Sequence, residues 1–434
     1  MAVRLSTRDA DFEGRFASLI AQTREQKLDV DGVVAGILAD VKKRGDAALI
    51  EYTNRFDRVT LGAGQLRVTA DEIAAATKAC QPATLNALRV AAERIRDYHV
   101  RQMPSDAQFD DGRGVSLGWR WTSVDSAGLY VPGGTAALFS SVLMNAVPAK
   151  VAGVKRLVVC MPMPDGTTHP LMLAACAIAG VDEVYRVGGA QAIAALAYGT
   201  ATIRPVDKIV GPGNAYVASA KKQVFGTVGI DMVAGPSEVT VVADAANDPA
   251  WIAADLLAQA EHDTAAQSVL ITDNAAFADR VSAAVDGALK TLPRGEIAAK
   301  SWADHGLIVV VDDLNAAASL IDRIAPEHLE LAVADPQPLL KAVRHAGAIF
   351  IGRYTPEAVG DYIAGPSHVL PTSGSARFSS GLGVFDFLKR TSLINCTVEG
   401  LRAIGEDAFR MAEAEALDAH ASSIAVRLNL GGPA

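Results

Sequence analysis

The chain has 434 residues, of which 50% are apolar and 21% are charged, as expected for a globular protein with about two to four domains. Its net charge of −9 argues against a surface that binds nucleic acid or anionic membranes. Its four cysteines lie far apart without a C-x-x-C pair, so the sequence predicts neither a disulfide framework nor a thiolate zinc site.

The N-terminal part of the chain is predicted to be helical and to carry no catalytic groups. Residues 1–25 form a short amphipathic segment that lacks the apolar centre of a signal peptide. Apolar residues recur at helical spacing over 29–43, before Gly45, and again over 70–100, with an interruption near Pro82. No apolar run is long enough to span a membrane, so we expect a cytoplasmic protein.

Residues 130–235 alternate between strands and helices, after β-like segments over 115–131 and a loop that contains Pro132-Gly133-Gly134-Thr135. The predicted strands are 156–161, 183–187 and 208–210, and the predicted helices are 141–152, 171–179, 214–224 and one that begins at Gln191. Such alternation predicts a parallel sheet that binds ligands at the carboxyl ends of its strands. The turn at 211–214 resembles a dinucleotide fingerprint, but Tyr216 replaces its third glycine, so a standard Rossmann phosphate site is not predicted.

Residues 236–380 repeat the same alternation. The predicted strands are 238–243, 268–272, 307–311 and 348–351, and the predicted helices are 251–263, 275–290 and 315–323. The predicted fold class is therefore α/β, with two related Rossmann-like parallel-sheet domains that lack a standard fingerprint, plus small N-terminal and C-terminal helical segments. The predicted boundaries are 1–25 for the N-terminal segment, 26–129 with 236–380 for the first domain, 130–235 for the second, and 381–434 for a tail that is helical from 398.

The helix predicted over 251–263 carries Gln259 and His262 three positions apart. This spacing separates the two side chains by about 60° on an ideal helix, so both can reach one ligand. Imidazole nitrogen and amide oxygen are donors for zinc-class metals. A solvated or capping pair at the helix end is the alternative interpretation.

Glu327 and His328 form a second candidate pair. They follow Pro326, which suits the first position of a short helical turn. Such a turn places both side chains at the positive end of a helix dipole, which favours an ionised glutamate and a neutral imidazole, as a pair of general bases requires. A capping glutamate beside a partly exposed histidine is the competing interpretation.

Two further pairs lie closer to the C terminus. Asp361 and His368 stand on backbone that glycine and proline fix, where an ordinary capped turn is the alternative. Glu415 and His420 are five positions apart in the helical tail, about 140° apart on an ideal helix, so we expect them to contact different groups. A borderline-hard donor set suited to zinc or manganese is offered by Gln259, His262, Asp361 and His420.

Several segments, in this order, resemble the histidinol dehydrogenase family, and the resemblance covers nearly the whole chain. The matching segments are Gly128 to Gly134, Gly211 to Asn214, Asp231 with Ala234 to Glu238, Gln259 to Asp263, Ala325 to Glu330, Gly365 to His368, and Leu370 to Thr372. The resemblance implies an NAD-dependent enzyme that oxidises L-histidinol to L-histidine in two steps through an enzyme-held aldehyde, the last step of histidine biosynthesis.

The resemblance also implies site residues. One zinc ion per subunit would be held by Gln259, His262, Asp361 and His420, and would bind the imidazole and amino nitrogens of the substrate. NAD contacts are implied for Tyr130, Gln191 and Asn214, and catalysis for Glu327 and His328. Substrate contacts are implied for Ser237, His368 and Glu415, beside His328 and the zinc ligands. The family implies a homodimer with swapped elements, in which Glu415 and His420 enter the partner's active site.

The residue types are consistent with this chemistry. His328 would take the hydroxyl proton in the first oxidation, and Glu327 would activate the water that converts the aldehyde to a gem-diol. A thiohemiacetal route through cysteine is the competing mechanism, but these motifs contain no cysteine. The alternative functions are a paralogous dehydrogenase for another polar alcohol, such as a sulfonated diol, a zinc hydrolase with Glu327 as base, and a non-catalytic metal-binding module.

Overall fold

The computed structural model describes residues 2–24, 30–133 and 138–430, so the start of the helix expected from residue 29 and the Gly134-Thr135 part of the first loop lie outside the described residues. The chain divides into two compact units. Unit 1 comprises Met1–Gln102 with Asp125–Phe387, and unit 2 comprises Met103–Val124 with Leu388–Ala434.

The strands of unit 1 form two parallel sheets. They are β1 (Val3–Ser6), β4 (Ser126–Tyr130), β5 (Arg156–Cys160), β6 (Glu183–Tyr185), β7 (Lys208–Val210), β8 (Gly229–Ile230), β9 (Glu238–Ala243), β10 (Gln267–Thr272), β11 (Leu307–Val310), β12 (His328–Ala332) and β13 (Ala348–Ile351), while unit 2 holds β2 (Ala107–Asp110), β3 (Val115–Ser123) and β14 (Leu388–Cys396). One sheet has the order β1-β11-β10-β9-β12-β13, and the other has the order β6-β5-β4-β7-β8.

The two parallel sheets share one topology. Numbered within each section, the strands β4 to β8 and β9 to β13 both follow the order 3-2-1-4-5, and β1 adds a sixth strand beside β11. This is the doubly wound arrangement in which the chain turns back on itself beside the first strand. The prediction of two related Rossmann-like sheets is confirmed, and β1 adds a strand to an N-terminal segment predicted as helical.

Helices cover these strands. In unit 1 they are α1 (Phe12–Arg24), α2 (Asp31–Arg44), α3 (Asp46–Asp57), α4 (Ala70–Ala79), α5 (Pro82–Val100), α6 (Phe139–Val151), α7 (Pro170–Ala179), α8 (Gly189–Tyr198), α9 (Ala215–Val224), α10 (Pro249–Ala260), α11 (Ala275–Ala288), α12 (Gly295–His305), α13 (Ala317–Ile324), α14 (Gln337–Ala342) and α15 (Glu357–Tyr362). Every residue of β9 and β10 is buried, as expected for strands with helices on both faces.

The sequence signals for α10 act as expected. The Asp248 side chain accepts a hydrogen bond from the amide of Ala250 at 2.8 Å, and Pro249 occupies the first turn. Apolar residues of α10, including Ile252 and Leu256, pack with β9 and β10 in one hydrophobic cluster. The helix ends at Ala260, so Gln259 lies on it and His262 lies in the turn that follows.

Unit 2 has a different architecture. Its sheet is antiparallel in the order β14-β3-β2, and β14 pairs with β3 over nine residues, from Leu388 opposite Ser123 to Cys396 opposite Val115. The tail continues as α16 (Val398–Ala414) and α17 (Asp418–Leu428), which contact each other. Across the described ranges of both units, none of the helices combines the length and the apolar character that a membrane crossing requires.

Candidate active site

The two proposed general bases, Glu327 and His328, lie where two neighbouring strands of the large sheet begin. His328 is the first residue of β12, and its register partners are Val239 on β9 and Ala348 on β13. The short helical turn predicted at Pro326 is therefore wrong, because the chain enters a buried strand at His328 instead. Helix-dipole effects do not determine the protonation of this pair; burial does.

The His328 imidazole is buried and held in one orientation. Its Nδ1 lies 3.0 Å from the carbonyl oxygen of Glu238, a distance at which Nδ1–H donates to that acceptor. Nε2 must then carry the lone pair, and within the described residues this atom is buried without a hydrogen-bond partner. Burial lowers the pKa of His328 to about 4, against the opposing effect of the Asp361 carboxylate. The predicted neutral imidazole is confirmed, with desolvation as its cause.

Glu327 is also buried, with 6% of its surface exposed. Its Oε2 accepts a hydrogen bond from the backbone amide of Glu238 at 2.9 Å. Burial raises the pKa of Glu327 well above its usual range, and this hydrogen bond only partly opposes the shift. This shift opposes the ionised state that the sequence predicts, and desolvation of the carboxylate is its main cause.

Asp361 and His368 lie on the other side of His328. The carboxylate Oδ1 of Asp361, on α15, is 3.8 Å from His328 Nε2 and 3.7 Å from His368 Nδ1. His368 Nδ1–H donates to the Asp361 carbonyl at 3.0 Å, and its Nε2 accepts from the Ser141 hydroxyl at 3.1 Å. Ser141 is on α6, which follows β4, so this hydrogen bond joins the segment after β4 to the residues around β12.

The side chain of Gln259 gives the strongest indication that this site binds a ligand. Its side chain is fully buried, and neither its amide nitrogen nor its amide oxygen has a hydrogen-bond partner within the described residues. A buried amide without partners costs free energy, so such groups normally have one. His262 is exposed. Burial is the main cause of the lowered pKa of His328 and of His368, and an electrostatic interaction with His262 is a smaller cause for both, so all three imidazoles lie in one neighbourhood.

A carboxylate that sequence reasoning missed completes the site. Glu357 is 2% exposed, and its Oε1 lies 3.7 Å from His328 Nδ1. Potential metal ligands on His328, Glu357 and Asp361 all lie within 4.8 Å of one another. The available signal was the spacing of Glu357 and Asp361, which puts them on the same face of α15.

Two more acidic residues, Glu330 and Asp255, form a group with Glu357. The Glu330 carboxyl accepts a hydrogen bond from the Glu357 amide at 2.5 Å and shares another with Asp255 on α10. Burial raises the pKa of Asp255 to about 6 and that of Glu330 well above its usual range. Part of this group of acids is therefore protonated at neutral pH, because several buried carboxylates cannot all ionise side by side.

Ser237 and the tail residues complete the predicted set. Ser237 is half-buried just before β9, and its carbonyl accepts from the Gln267 amide at 3.0 Å. Glu415 and His420 belong to unit 2 and are exposed. They do not share one helix as expected, because Glu415 caps α16, Ala416 has a φ of 56°, and His420 lies on α17.

The predicted dinucleotide residues lie at the carboxyl ends of strands in the five-stranded sheet. Tyr130 ends β4, and its hydroxyl accepts from the Gly189 amide at 3.1 Å, at the start of α8. Gln191, in the first turn of α8, is buried, and its Oε1 has no partner within the described residues. Asn214 follows β7 and caps α9 by accepting from the amides of Tyr216 and Val217 at 3.1 and 3.2 Å.

The cysteines are poorly placed for nucleophilic catalysis. Cys160 and Cys176 are buried, and burial raises the pKa of each thiol to about 12. At neutral pH both are protonated, and the thiol is not the nucleophilic form. Cys80 is half-buried and Cys396 is exposed in unit 2.

Comparisons with known proteins identify the family to which the chain belongs. The histidinol dehydrogenase family model matches residues 20–428. Histidinol dehydrogenases of Rhodospirillum rubrum and Bradyrhizobium diazoefficiens are 65% and 61% identical, each over 99% of this chain and 100% of the relative. The crystal structure of histidinol dehydrogenase from Elizabethkingia anophelis superposes with a TM-score of 0.93 at 35% identity, covering 99% of this chain and 98% of that one. The chain therefore belongs to the histidinol dehydrogenase family, whose members are NAD-dependent oxidoreductases that act on a CH–OH group.

Proposed function

We propose that this chain oxidises L-histidinol to L-histidine through L-histidinaldehyde, with two NAD and one zinc ion per subunit, as a cytoplasmic homodimer. The observation that carries the proposal is the His328 imidazole. It is buried, neutral and fixed by Glu238, with Nε2 free to accept a proton beside Asp361. An alcohol oxidation needs a base of this kind to take the hydroxyl proton as hydride leaves.

The residues fit a zinc ion. Gln259 presents a buried amide without partners, and Asp361 and His262 supply a carboxylate and an imidazole in the same neighbourhood. Such a mixed oxygen and nitrogen set suits zinc. His420 would supply the fourth ligand from the partner subunit. The group of His328, Glu357 and Asp361 offers a competing set, but His328 cannot serve as a metal ligand and a proton acceptor through the same Nε2 atom.

The residues also fit a dinucleotide. The Tyr130 hydroxyl accepts from Gly189, and a hydroxyl that accepts one bond can still donate its own proton. Gln191 offers a buried acceptor without a partner, and Asn214 stands at a helix start. These positions at the carboxyl edge of a doubly wound sheet are where such sheets bind ligands.

When bound, NAD would supply the hydride acceptor for each oxidation, and zinc would supply a binding point for the imidazole and amino nitrogens of the substrate. The chain's own groups move the protons. His328 Nε2 accepts the hydroxyl proton in the first oxidation. In its ionised form Glu327 would take a proton from the water that adds to the aldehyde, and the raised pKa of its carboxyl makes that form a stronger base. Ser237, His368 and the partner's Glu415 would contact the substrate, and no cysteine is required.

Counting NADH per L-histidinol, before and after chelation of the metal, tests the proposal. We expect two NADH per substrate from the zinc-loaded protein and none after chelation, with recovery on adding zinc. One NADH per substrate would contradict the four-electron reaction. Turnover of a sulfonated diol in preference to L-histidinol would instead support the paralogous dehydrogenase.

A further inference from the structure

A buried ion pair forms hydrogen bonds with one residue of the loop between β7 and α9. Lys221, on α9, is 2% exposed and forms an ion pair with Asp231, whose side chain is fully buried after β8. Lys221 Nζ also donates to the carbonyl oxygen of Gly211 at 2.8 Å. Asp231 Oδ2 accepts from the amide of Gly211, also at 2.8 Å. One ion pair therefore satisfies both backbone polar groups of a single residue.

Steric constraints at position 211 also require a glycine. Its φ is 111°, a conformation that L side chains rarely adopt. A Cβ atom on Gly211 would lie 2.1 Å from the carbonyl oxygen of Tyr130. The backbone at Gly211 therefore passes directly against the end of β4, where Tyr130 lies.

Stability alone does not account for the pair. Burying two charges carries a desolvation cost, and a well-packed apolar pair in the same place is often equally stable or more so. What two apolar side chains cannot do is hydrogen-bond the Gly211 amide and carbonyl. What this ion pair does, and an apolar pair could not, is fix the position of Gly211. The position of Gly211 in turn sets the positions of Pro212, Gly213 and Asn214.

We propose that Lys221 and Asp231 are positioning residues for the dinucleotide loop, which we define as Gly211 to Asn214. They fix Gly211 against Tyr130, and so set the position of Asn214 relative to Tyr130 at the carboxyl edge of the sheet. This inference rests on the proposed function, in which both residues contact NAD. Neither Lys221 nor Asp231 touches the cofactor itself.

The kinetic constants of Lys221→Met and Asp231→Asn test the proposal, with Glu183→Gln as the matched control. Glu183 pairs with Arg156 at 2.7 Å, with side chains 10% and 15% exposed. These residues begin β6 and β5, so they lie at the amino edge of the sheet whose carboxyl edge carries Tyr130. The control therefore disrupts a partly buried ion pair of the same sheet at a distance from the loop.

We expect Lys221→Met and Asp231→Asn each to raise the KM for NAD by about tenfold, the effect of a lost hydrogen bond to a charged group, with the KM for L-histidinol and the zinc content unchanged. Glu183→Gln should lower the melting temperature but leave the KM for NAD unchanged. If the loop variants lower the melting temperature as the control does and leave the KM for NAD within about twofold, the proposal is overturned.

Two further measurements cover poor folding of the single variants. The double variant Lys221→Met with Asp231→Leu leaves no unpaired buried charge and should still show the raised KM for NAD. In the unmodified protein, the Gly211 amide hydrogen should exchange with solvent as slowly as the strand amides of β7. Rapid exchange would contradict the hydrogen bond between this amide and Asp231. Failure of the unmodified protein to form NADH from L-histidinol would count against the proposed function and not against the loop positioning.

Discussion

His328 is the residue on which the proposed chemistry depends most. Replacing it by asparagine removes the proton acceptor, so we expect His328→Asn to lower kcat by about 10² to 10⁴-fold. The zinc content should stay at one per subunit, because His328 is not among the proposed ligands. Steady-state kinetics and metal analysis check both points.

A suitable control for this variant is His345→Asn, which changes a histidine outside the cluster. Loss of zinc from His328→Asn would assign His328 to the metal, with Glu357 and Asp361 as its companions. Unchanged kcat would remove it from the reaction altogether.

Asp255 supplies a prediction about stability and pH. Its pKa in the folded protein is about 6, above the ordinary 3.8, so the folded state binds this proton more tightly than the unfolded chain does. The stabilisation is complete below about pH 4 and is lost as the pH rises through about 6. We expect Asp255→Asn to increase the free energy of unfolding at pH 8, by at most about 3 kcal/mol, with the gain vanishing near pH 4.

Urea unfolding at the two pH values measures this difference. Asp286→Asn, at an exposed site on α11, is the control and should change the free energy of unfolding little at either pH. A gain that is equal at both pH values would show that the effect of Asp255→Asn does not come from a proton.

At the scale of elements, local pattern was sufficient for several strands of the two parallel sheets, even where a strand begins with a charged residue. The predicted strands at 208–210, 238–243 and 348–351 match β7, β9 and β13 to the residue. Strand β12 was missed because His328 and Glu330 are polar, whereas a central parallel strand normally reads as an apolar run. The residues that obscure the strand are those that the site uses.

Other features depended on contacts distant in sequence. The strand β14 pairs with β3, more than 200 residues away, and most of its residues are exposed, so its own composition carries little signal. Glu330 and Asp255 could be recognised only after burial was known, because two carboxylates on separate elements have no shared spacing. The sequence could propose Gln259, His262 and Asp361 as ligands because each stands in a distinctive motif.

The tail helix α17 carries the next prediction. If His420 is a zinc ligand, His420→Asn should weaken zinc binding about as much as His262→Asn, because each removes one imidazole from the same ion. Zinc retained against a competing chelator measures both. Asp418→Asn, on the same helix, should behave as the unmodified protein. Equal retention by His420→Asn and the unmodified protein would remove α17 from the metal site.

At the scale of the whole molecule, the proposed exchange of tails between subunits makes a distinctive prediction. A heterodimer of a His262→Asn chain and a His420→Asn chain has one site with both substitutions and one intact site, if the tail crosses to the partner. Random pairing makes half of the dimers mixed, so co-expression should restore about a quarter of full activity.

Each variant expressed alone is the control and should be nearly inactive. If His420 instead serves its own subunit, every site in the mixture carries one substitution. Co-expression would then restore nothing, and absence of activity in the mixture would contradict the shared site. Separate measurement of dimer formation ensures that mixed dimers are present.

The position of His328 at the beginning of β12 has a consequence for how two oxidations follow each other. Its backbone lies between β9 and β13, and its Nδ1 is tied to Glu238. Rotation of the imidazole would break this hydrogen bond, so we expect its orientation to stay the same between the steps. If both proposed oxidations use this nitrogen, the changes of orientation between them fall to the small molecules: the substrate carbon would turn and a second NAD would replace the first, around an imidazole that stays in place.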